Sequence, residues 1–387
     1  MSFIGKDRTL FRLFGVPIRV NLSWLFLVAL VMMSLAQGYF PSRLGPDVKW
    51  YVHWGFAGLG TVALFASLIA HELAHSLVAR ATGTRVAGIT LFIFGGVSQL
   101  EDEPPTAASE FLMAVVGPLS SVAIGSALLC IWAVGQFLDW AAATQALLWW
   151  LFFVNFMLAG FNSLPAFPLD GGRVLRSALW AVTGDLRLAT HVAGRIGSLF
   201  GFGFMFLGAL AAVTIHGYVI FGVWLIIIGF FLRQAALSSL QMVVIRQQLE
   251  GEKVARFMST DVVTVPRYLD LQRFVDEYVF RHRFSYYPVV DEEGRLVGLV
   301  SARAPGKVDQ QRWPHTTVEA LMRKAEPNSV LRPDADAVDA LSALRSGDVH
   351  RTVIVDDGRP VGMVSLRDLL GFLALKIDLQ PRRHDRI

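Results

Sequence analysis

The densest chemistry in the chain is a run of five residues, His71-Glu72-Leu73-Ala74-His75. On an α-helix, residues four apart lie about 40° apart around the axis, so both imidazoles can reach one ion. Glu72 falls on the neighbouring sector, close enough to act on a water beside that ion without being a ligand. Two histidines and an adjacent carboxylate in this order suit metal-assisted hydrolysis, with two nitrogen ligands and one general base. Residues 56–70, just before the run, are almost wholly apolar. An ionisable side chain inside a membrane span costs about 2.5–3.5 kcal/mol on insertion scales. Three polar groups packed so closely are therefore hard to explain as packing alone; the competing reading is a solvated surface helix.

A zinc site of this kind needs a third protein ligand. Residues 162–173 read NSLPAFPLDGGR, and Asp170 is the only carboxylate between positions 141 and 184. Pro165 and Pro168 break a helix, and Gly171 and Gly172 permit backbone bends. That places Asp170 on unwound chain at a membrane edge. Its type and spacing leave two readings open: a metal ligand, or the N-cap of a helix starting near Arg173.

These residues need a frame to hold them. The chain has 387 residues, 54% hydrophobic and 17% charged, against about 25% charged in soluble domains. Mean hydropathy is +0.49. Disorder is excluded, and an ordinary soluble enzyme is disfavoured. The one cysteine, Cys130, cannot close an intrachain disulfide. Formal net charge is +4, which we read as a topology signal and not as nucleic-acid binding.

Six stretches are long and apolar enough to be expected as spans: 22–40, 54–78, 111–137, 146–161, 196–213 and 218–232. Lys6, Arg8, Arg12 and Arg19 precede the first, with no clear cleavage site after it. Arg80 and Arg85, Arg173 and Arg176, and Arg233 and Arg246 follow alternate spans. This bias predicts a multi-pass protein of a prokaryotic cytoplasmic membrane with both termini in the cytoplasm. Residues 86–100, VAGITLFIFGGVSQL, are too short to span as a helix. They read as a β-hairpin or re-entrant strand pair shielded by protein, or as a buried loop.

Composition shifts near Gln241. The expected organisation is a membrane domain over 1–240, a linker over 241–253, and two soluble modules over 254–315 and 316–380. Within the soluble part Met258 recurs as Met322, Gly298 as Gly362 and Ser301 as Ser365, a constant offset of 64 residues. The first copy predicts a strand at 262–265, a helix at 271–281 and strands at 287–291 and 296–301. The second predicts a helix at 337–344, strands at 352–356 and 360–365, and a helix at 366–376. Two copies of this size make a tandem α/β module, not a solenoid. The fold class is therefore a polytopic α-helical membrane domain with a membrane-associated β-hairpin, joined to a cytoplasmic α/β pair.

These motifs together resemble the site-2 protease family of intramembrane zinc metalloproteases. HELAH matches the family's HExxH, NSLPAFPLDGGR its NxxPxxPLDGG segment, FGGVSQL its glycine-rich hairpin, and Gly117-Pro118 its GP motif, over roughly residues 10–240. The resemblance implies one zinc ion held by His71, His75 and Asp170, with Glu72 as the base. It also implies a single-span membrane protein as substrate, such as an anti-sigma factor already trimmed by another protease. Asn162 is expected at the substrate backbone or the oxyanion, and the hairpin with Gly95 and Gly96 is expected to hold the substrate as an added strand. Ser120-Ser121 stand where related sequences often have Asn, which puts one polar contact in doubt.

The repeat resembles a tandem pair of cystathionine-β-synthase (CBS) modules, which often bind adenine nucleotides. The family's ribose pattern appears as Ser365 and Asp368 in the second copy, whereas Ala304 stands at the Asp position of the first. ATP, ADP or AMP is the expected ligand class. A structural pair, or one that dimerises the chain, stays open. A CBS-gated transporter or channel is the rival reading, and a metal-dead nucleotide receptor is a third. A transport path would spread polar residues over several spans, whereas here they concentrate at HELAH and LDGG. His53 and His216 read as interfacial and His191 as the opening of the fifth span, while His282, His315, His350 and His384 lack metal-like spacing.

Overall fold

The computed structural model describes residues 8–45, 47–93, 95–100, 103–214, 219–325, 330–346 and 351–379. Lys6, His216, His350 and His384, each named above, lie outside the described residues, as does position 218. The chain divides into two compact units, Met1–Val243 and Val244–Ile387.

The first unit opens with strands β1 (Arg8–Leu13) and β2 (Val16–Val20), paired antiparallel. Their turn places Phe14 at φ 49° and Gly15 at φ 79°, the two left-handed residues that a tight hairpin favours. These strands were not anticipated, because the arginines there read as topology signals. Helix α1 (Ser23–Ser34), a π-helical turn (Leu35–Tyr39) and α2 (Phe40–Leu44) form the first span, and α3 (Trp50–Ala81) is the second. Strands β3 (Val86–Phe92) and β4 (Gly95–Leu100) pair antiparallel, as the hairpin reading expected. Parallel pairing of β2 with β3 completes one sheet of order β1-β2-β3-β4. Its apolar face, with Val16, Ile18, Ile89 and Leu91, packs on Phe65 and Leu68 of α3. Burial of that face therefore fixes the sheet against the helix that carries HELAH.

Four further long helices follow: α4 (Ala107–Phe137), α5 (Ala142–Asn162), and, after the short α6 (Asp170–Thr183), α7 (Leu186–Thr214) and α8 (Val219–Leu249). Thr106 caps α4 by accepting from the Ser109 N–H at 3.1 Å. Among the described residues six helical segments are long and apolar enough to cross a membrane, in the order expected. The fourth begins at Ala142, about one helical turn before its expected start, and stops at Asn162, one residue past its expected end. The fifth begins at Leu186, so His191 lies inside it. The last span continues as helix through most of the expected linker, to Leu249.

In the second unit the helix expected at 271–281 is α9 (Leu271–Arg273), a π-helical segment (Phe274–Val279) and α10 (Phe280–His282). Strands β5 (Val265–Pro266), β6 (Tyr286–Val290), β7 (Leu296–Ser301) and β8 (Arg323–Lys324) form one sheet. Strands β9 (Val330–Leu331), β10 (Arg351–Asp356) and β11 (Arg359–Ser365) form the other, with α11 (Ala337–Ser346) and α12 (Leu366–Leu379). The strand expected at 262–265 shortens to Val265–Pro266, because Ser259 instead bridges Met363 of the second copy. β8, from the second copy, pairs with β7 of the first. The 64-residue repeat explains this interlock. A Cβ on Gly362 would lie 2.9 Å from Met258 Cγ, and one on Gly298 would lie 3.0 Å from Met322 Sδ. Each copy's methionine thus fills the space its partner's glycine leaves.

Candidate metal centre and repeat-domain cleft

α3 carries His71 and His75 on one buried face, 1% and 5% exposed. Their Nε2 atoms lie 3.2 Å apart. Asp170 Oδ2 lies 3.1 Å from each. Asp170 is the first residue of α6, preceded by Leu169 as N-cap, so the capping reading is set aside: its carboxylate turns to the histidines. Gly171 and Gly172 are helical and not bends. A Cβ on either would strike the backbone of residues 163–167, so they let α6 start hard against the proline-broken loop.

One stripe of α4 backs these groups. The Met113 carbonyl accepts from His75 Nδ1 at 2.5 Å, which assigns the ring proton to Nδ1 and leaves Nε2 a lone pair. Ser121 Oγ lies 2.9 Å from His71 Nδ1 and can take that proton in the same way. The polar contact put in doubt by the missing Asn is thus supplied by Ser121. A Cβ on Gly117 would collide with both imidazoles, at 2.8 Å from His71 Nε2, which gives the GP motif a steric reason. Sequence reasoning missed the Met113 carbonyl, since a backbone group leaves no residue-type signal. Ser121 was in view only as a departure.

Glu72 is held from the sheet. Ser98 on β4 donates to Glu72 Oε2 at 2.8 Å and to its backbone carbonyl at 3.2 Å. Gly96 clears the way, since a Cβ there would lie 2.8 Å from Glu72 Cγ. Gly95, at φ 124°, has open space around it. Asn162 donates to the Leu158 carbonyl of its own helix at 3.0 Å, so its amide is committed locally.

Two lone-pair nitrogens and a carboxylate oxygen would repel one another with nothing between them. A tetrahedral zinc with bonds of about 2.0–2.1 Å sets its ligand atoms about 3.3 Å apart. The three separations here are close to that edge, so the residues fit a zinc ion.

Below this centre, Glu110 of α4 is fully buried and ion-paired with Arg176 of α6, whose Nε is 2.7 Å from Oε1. Arg176 also lies over the Phe167 ring at 5.2 Å. Glu110 closes the polar run 101–110 just before the expected span, so residue type gave no signal of its burial.

In the second unit, Ser365 and Asp368 face each other at the start of α12. Asp368 Oδ2 accepts from the Ser365 N–H at 2.8 Å and from its hydroxyl at 2.6 Å. The Asp368 N–H lies 3.3 Å from Ser365 Oγ. This is a reciprocal helix cap, so the motif has a structural task of its own. Nearby is a cleft of about 710 Å³ lined by Arg283, Arg303, Arg351 and Arg367, with Ser301 and Ser365. Ser301 and Ser365, and Arg303 and Arg367, are pairs related by the repeat. Among the described residues none of the four arginines has an ion pair.

Two histidines, a carboxylate and a neighbouring glutamate within a bundle of apolar helices define a zinc metalloprotease of the membrane-embedded class. The profile described as Peptidase family M50 matches residues 59–138 and 135–208. The CBS domain profile matches 254–304 and 318–375. The chain is 33% identical to Rip3 of Mycobacterium tuberculosis over 373 residues, covering 96% of this chain and 93% of that one. It is 30% identical to zinc metalloprotease MJ0392 of Methanocaldococcus jannaschii over 375 residues, 96% and 98% of the two chains. The solved site-2 protease from Methanocaldococcus jannaschii aligns at 28% identity and TM-score 0.43, over 61% of this chain and 95% of its own. The chain belongs to peptidase family M50, the site-2 protease family, and carries a CBS pair.

Proposed function

We propose that this metalloprotease cuts a peptide bond within the membrane-spanning segment of a single-span protein. His71, His75 and Asp170 hold its zinc. The observation that carries the reading is the convergence of three ligand atoms within 3.2 Å inside an apolar bundle. When bound, zinc polarises the scissile carbonyl and makes water acidic enough to attack near neutral pH. Glu72, aimed by Ser98, takes the water's proton and returns it to the leaving amine. Among the described residues β4 is the last strand of its sheet, and an unwound substrate segment can add along that edge as a strand. Such pairing exposes a peptide bond that a helix would shield. An anti-sigma factor trimmed by an earlier protease is a substrate of this kind.

The lysine and arginine bias supports a cytoplasmic location for both termini, in a prokaryotic cell membrane. Reporter fusions at Asp139 reading outside and at Lys253 reading inside would bear this out; the reverse at Lys253 would refute it. The arginine-lined cleft supports binding of a polyphosphate nucleotide such as ATP over AMP, since each added phosphate meets further unpaired guanidinium groups. α8 is the covalent route by which an altered CBS pair would bias the protease. Homodimerisation through the CBS modules is part of the same proposal, checked by the mass of the full chain in detergent. The central test is cleavage of a reconstituted single-span substrate beside metal analysis. Cleavage that survives full removal of zinc would overturn the reading.

A further inference from the structure

At the end of the bundle away from the metal centre, the first, third and fourth spans enclose a cavity of about 600 Å³, within the range of about 300–1,000 Å³ common for small-ligand sites. Along α4, Ser121 beside His71 and Gln136 in the cavity wall are about 22 Å apart by helical rise. The fold ties the walls together. Tyr39, near the end of the first span, donates its hydroxyl to the Ala146 carbonyl of α5 at 2.9 Å. Gln136 of α4 donates to Gln145 of α5 at 2.9 Å. Trp132 of α4 and Trp149 of α5 pack with ring centroids 4.8 Å apart. Trp140 lies against Gly135, where a Cβ would come 2.8 Å from its ring. Two residues of opposite charge line this cavity: Arg43 in the last turn of α2, and Asp139 in the turn between α4 and α5. Among the described residues neither makes an ion pair, with the other or elsewhere. The Arg43 guanidinium instead lies 5.7 Å from the centre of the Tyr39 ring. Tryptophans at a span end are ordinary in membrane proteins; two opposite charges held apart among them are not.

An ion pair left unmade across a cavity suits a ligand that carries both charges. A guanidinium group binds phosphate through paired, charge-assisted N–H bonds. A carboxylate beside aromatic rings suits an ammonium group, which gains an ion pair and attraction to the ring faces together. The position indicates the source of such a ligand. Arg43 and Asp139 stand at the ends of apolar spans, the level of lipid headgroups. Phe137 and Leu138, next to Asp139, are 86% and 57% exposed, an apolar shelf beside the cavity that acyl chains would cover. We infer that the cavity binds the headgroup of a zwitterionic phospholipid of the phosphatidylethanolamine type, with its phosphate at Arg43 and its ammonium at Asp139 and the indole rings. A lipid of net negative charge would leave Asp139 unmatched and facing a like charge. The inference needs the bilayer, but neither the protease reading nor a particular side of the membrane.

The test is native mass spectrometry of the full chain, delipidated in detergent and titrated with phosphatidylethanolamine or with phosphatidylglycerol of the same acyl chains. Wild type should bind the ethanolamine lipid about tenfold more tightly, the weight of one charge-assisted contact. Arg43→Gln should weaken that lipid about tenfold and so remove the preference. Asp139→Asn keeps a residue that tolerates the φ of 50° found there. It should remove the preference while the glycerol lipid binds as well as before or better. Equal affinity of wild type for the two lipids overturns the proposal, as does a preference that survives in either variant. Glycerophosphoethanolamine, which has the headgroup without acyl chains, separates a lipid from a soluble source. It should bind about a hundredfold more weakly than the lipid, having no chains to bury; equal affinity would give the cavity to a soluble zwitterion and overturn the lipid assignment. Should Arg43→Gln fail to fold, wild type carries the test with photoactivatable analogues of the two lipids. Excess labelling of residues 132–149 by the ethanolamine analogue supports the site, and equal labelling overturns it.

Discussion

The metal centre and the CBS cleft gather their polar groups in opposite ways. In the first unit the histidines, Asp170, Glu72 and Glu110 are all committed to partners on other elements: α3 to α4, α3 to β4, α6 to α3, α4 to α6. In the second, the motif expected to read a ligand is closed on itself as a helix cap, and four arginines stand without ion pairs among the described residues. Inside an apolar bundle an uncommitted polar group is costly, so the site must be built in full by the protein. In a water-exposed cleft the arginines stay solvated at little cost until a ligand arrives. One region closes its polar groups within the fold; the other leaves its charges open to solvent.

The largest expected effect is at the committed site. Glu72→Gln should lower cleavage by about 10²–10⁴-fold, the usual weight of a general base, while metal analysis finds zinc retained. His75→Ala should lose zinc and activity together. If Glu72→Gln lost zinc as well, the division between ligands and base would be wrong. Next comes the support from α4. Ser121→Ala removes the partner of His71 Nδ1 and should weaken zinc affinity by about 10–100-fold in chelator competition, as loss of outer hydrogen bonds typically does. Unchanged affinity would mean that the stripe on α4 is packing only.

In the cleft the effects are smaller. Arg303→Gln with Arg367→Gln should weaken ATP binding about tenfold or more, from charge-assisted bonds worth roughly 1.5–3 kcal/mol each, and less at high salt. Calorimetry on the full chain reads this. No binding by wild type would leave the CBS pair without a ligand. Smallest is Ser365→Ala, which should cost about 1 kcal/mol of stability through the lost cap, seen as a lower melting transition. A large loss of ATP affinity there, with stability unchanged, would restore the motif to a direct ligand role.

Much of this was legible without coordinates, where function depends on local spacing. HELAH reports its own geometry because four residues on a helix define one face. The spans report themselves because about 20 apolar residues suffice to cross lipid. The 64-residue offset announced a paired module. What spacing could not decide was any contact made across the fold. Asp170 as ligand or cap depended on where α6 docks. The Met113 carbonyl is invisible to residue type, and Ser121 and Ser98 are ordinary serines until α4 and β4 are placed beside α3. Ser365 and Asp368 show the converse: the residue types were in view, but in the fold the two side chains satisfy each other. A sequence states which groups are available. Only packing decides which of them meet, since hydrogen bonds and ion pairs fall off within an ångström or two, and His71 and Asp170, for one, lie 99 positions apart.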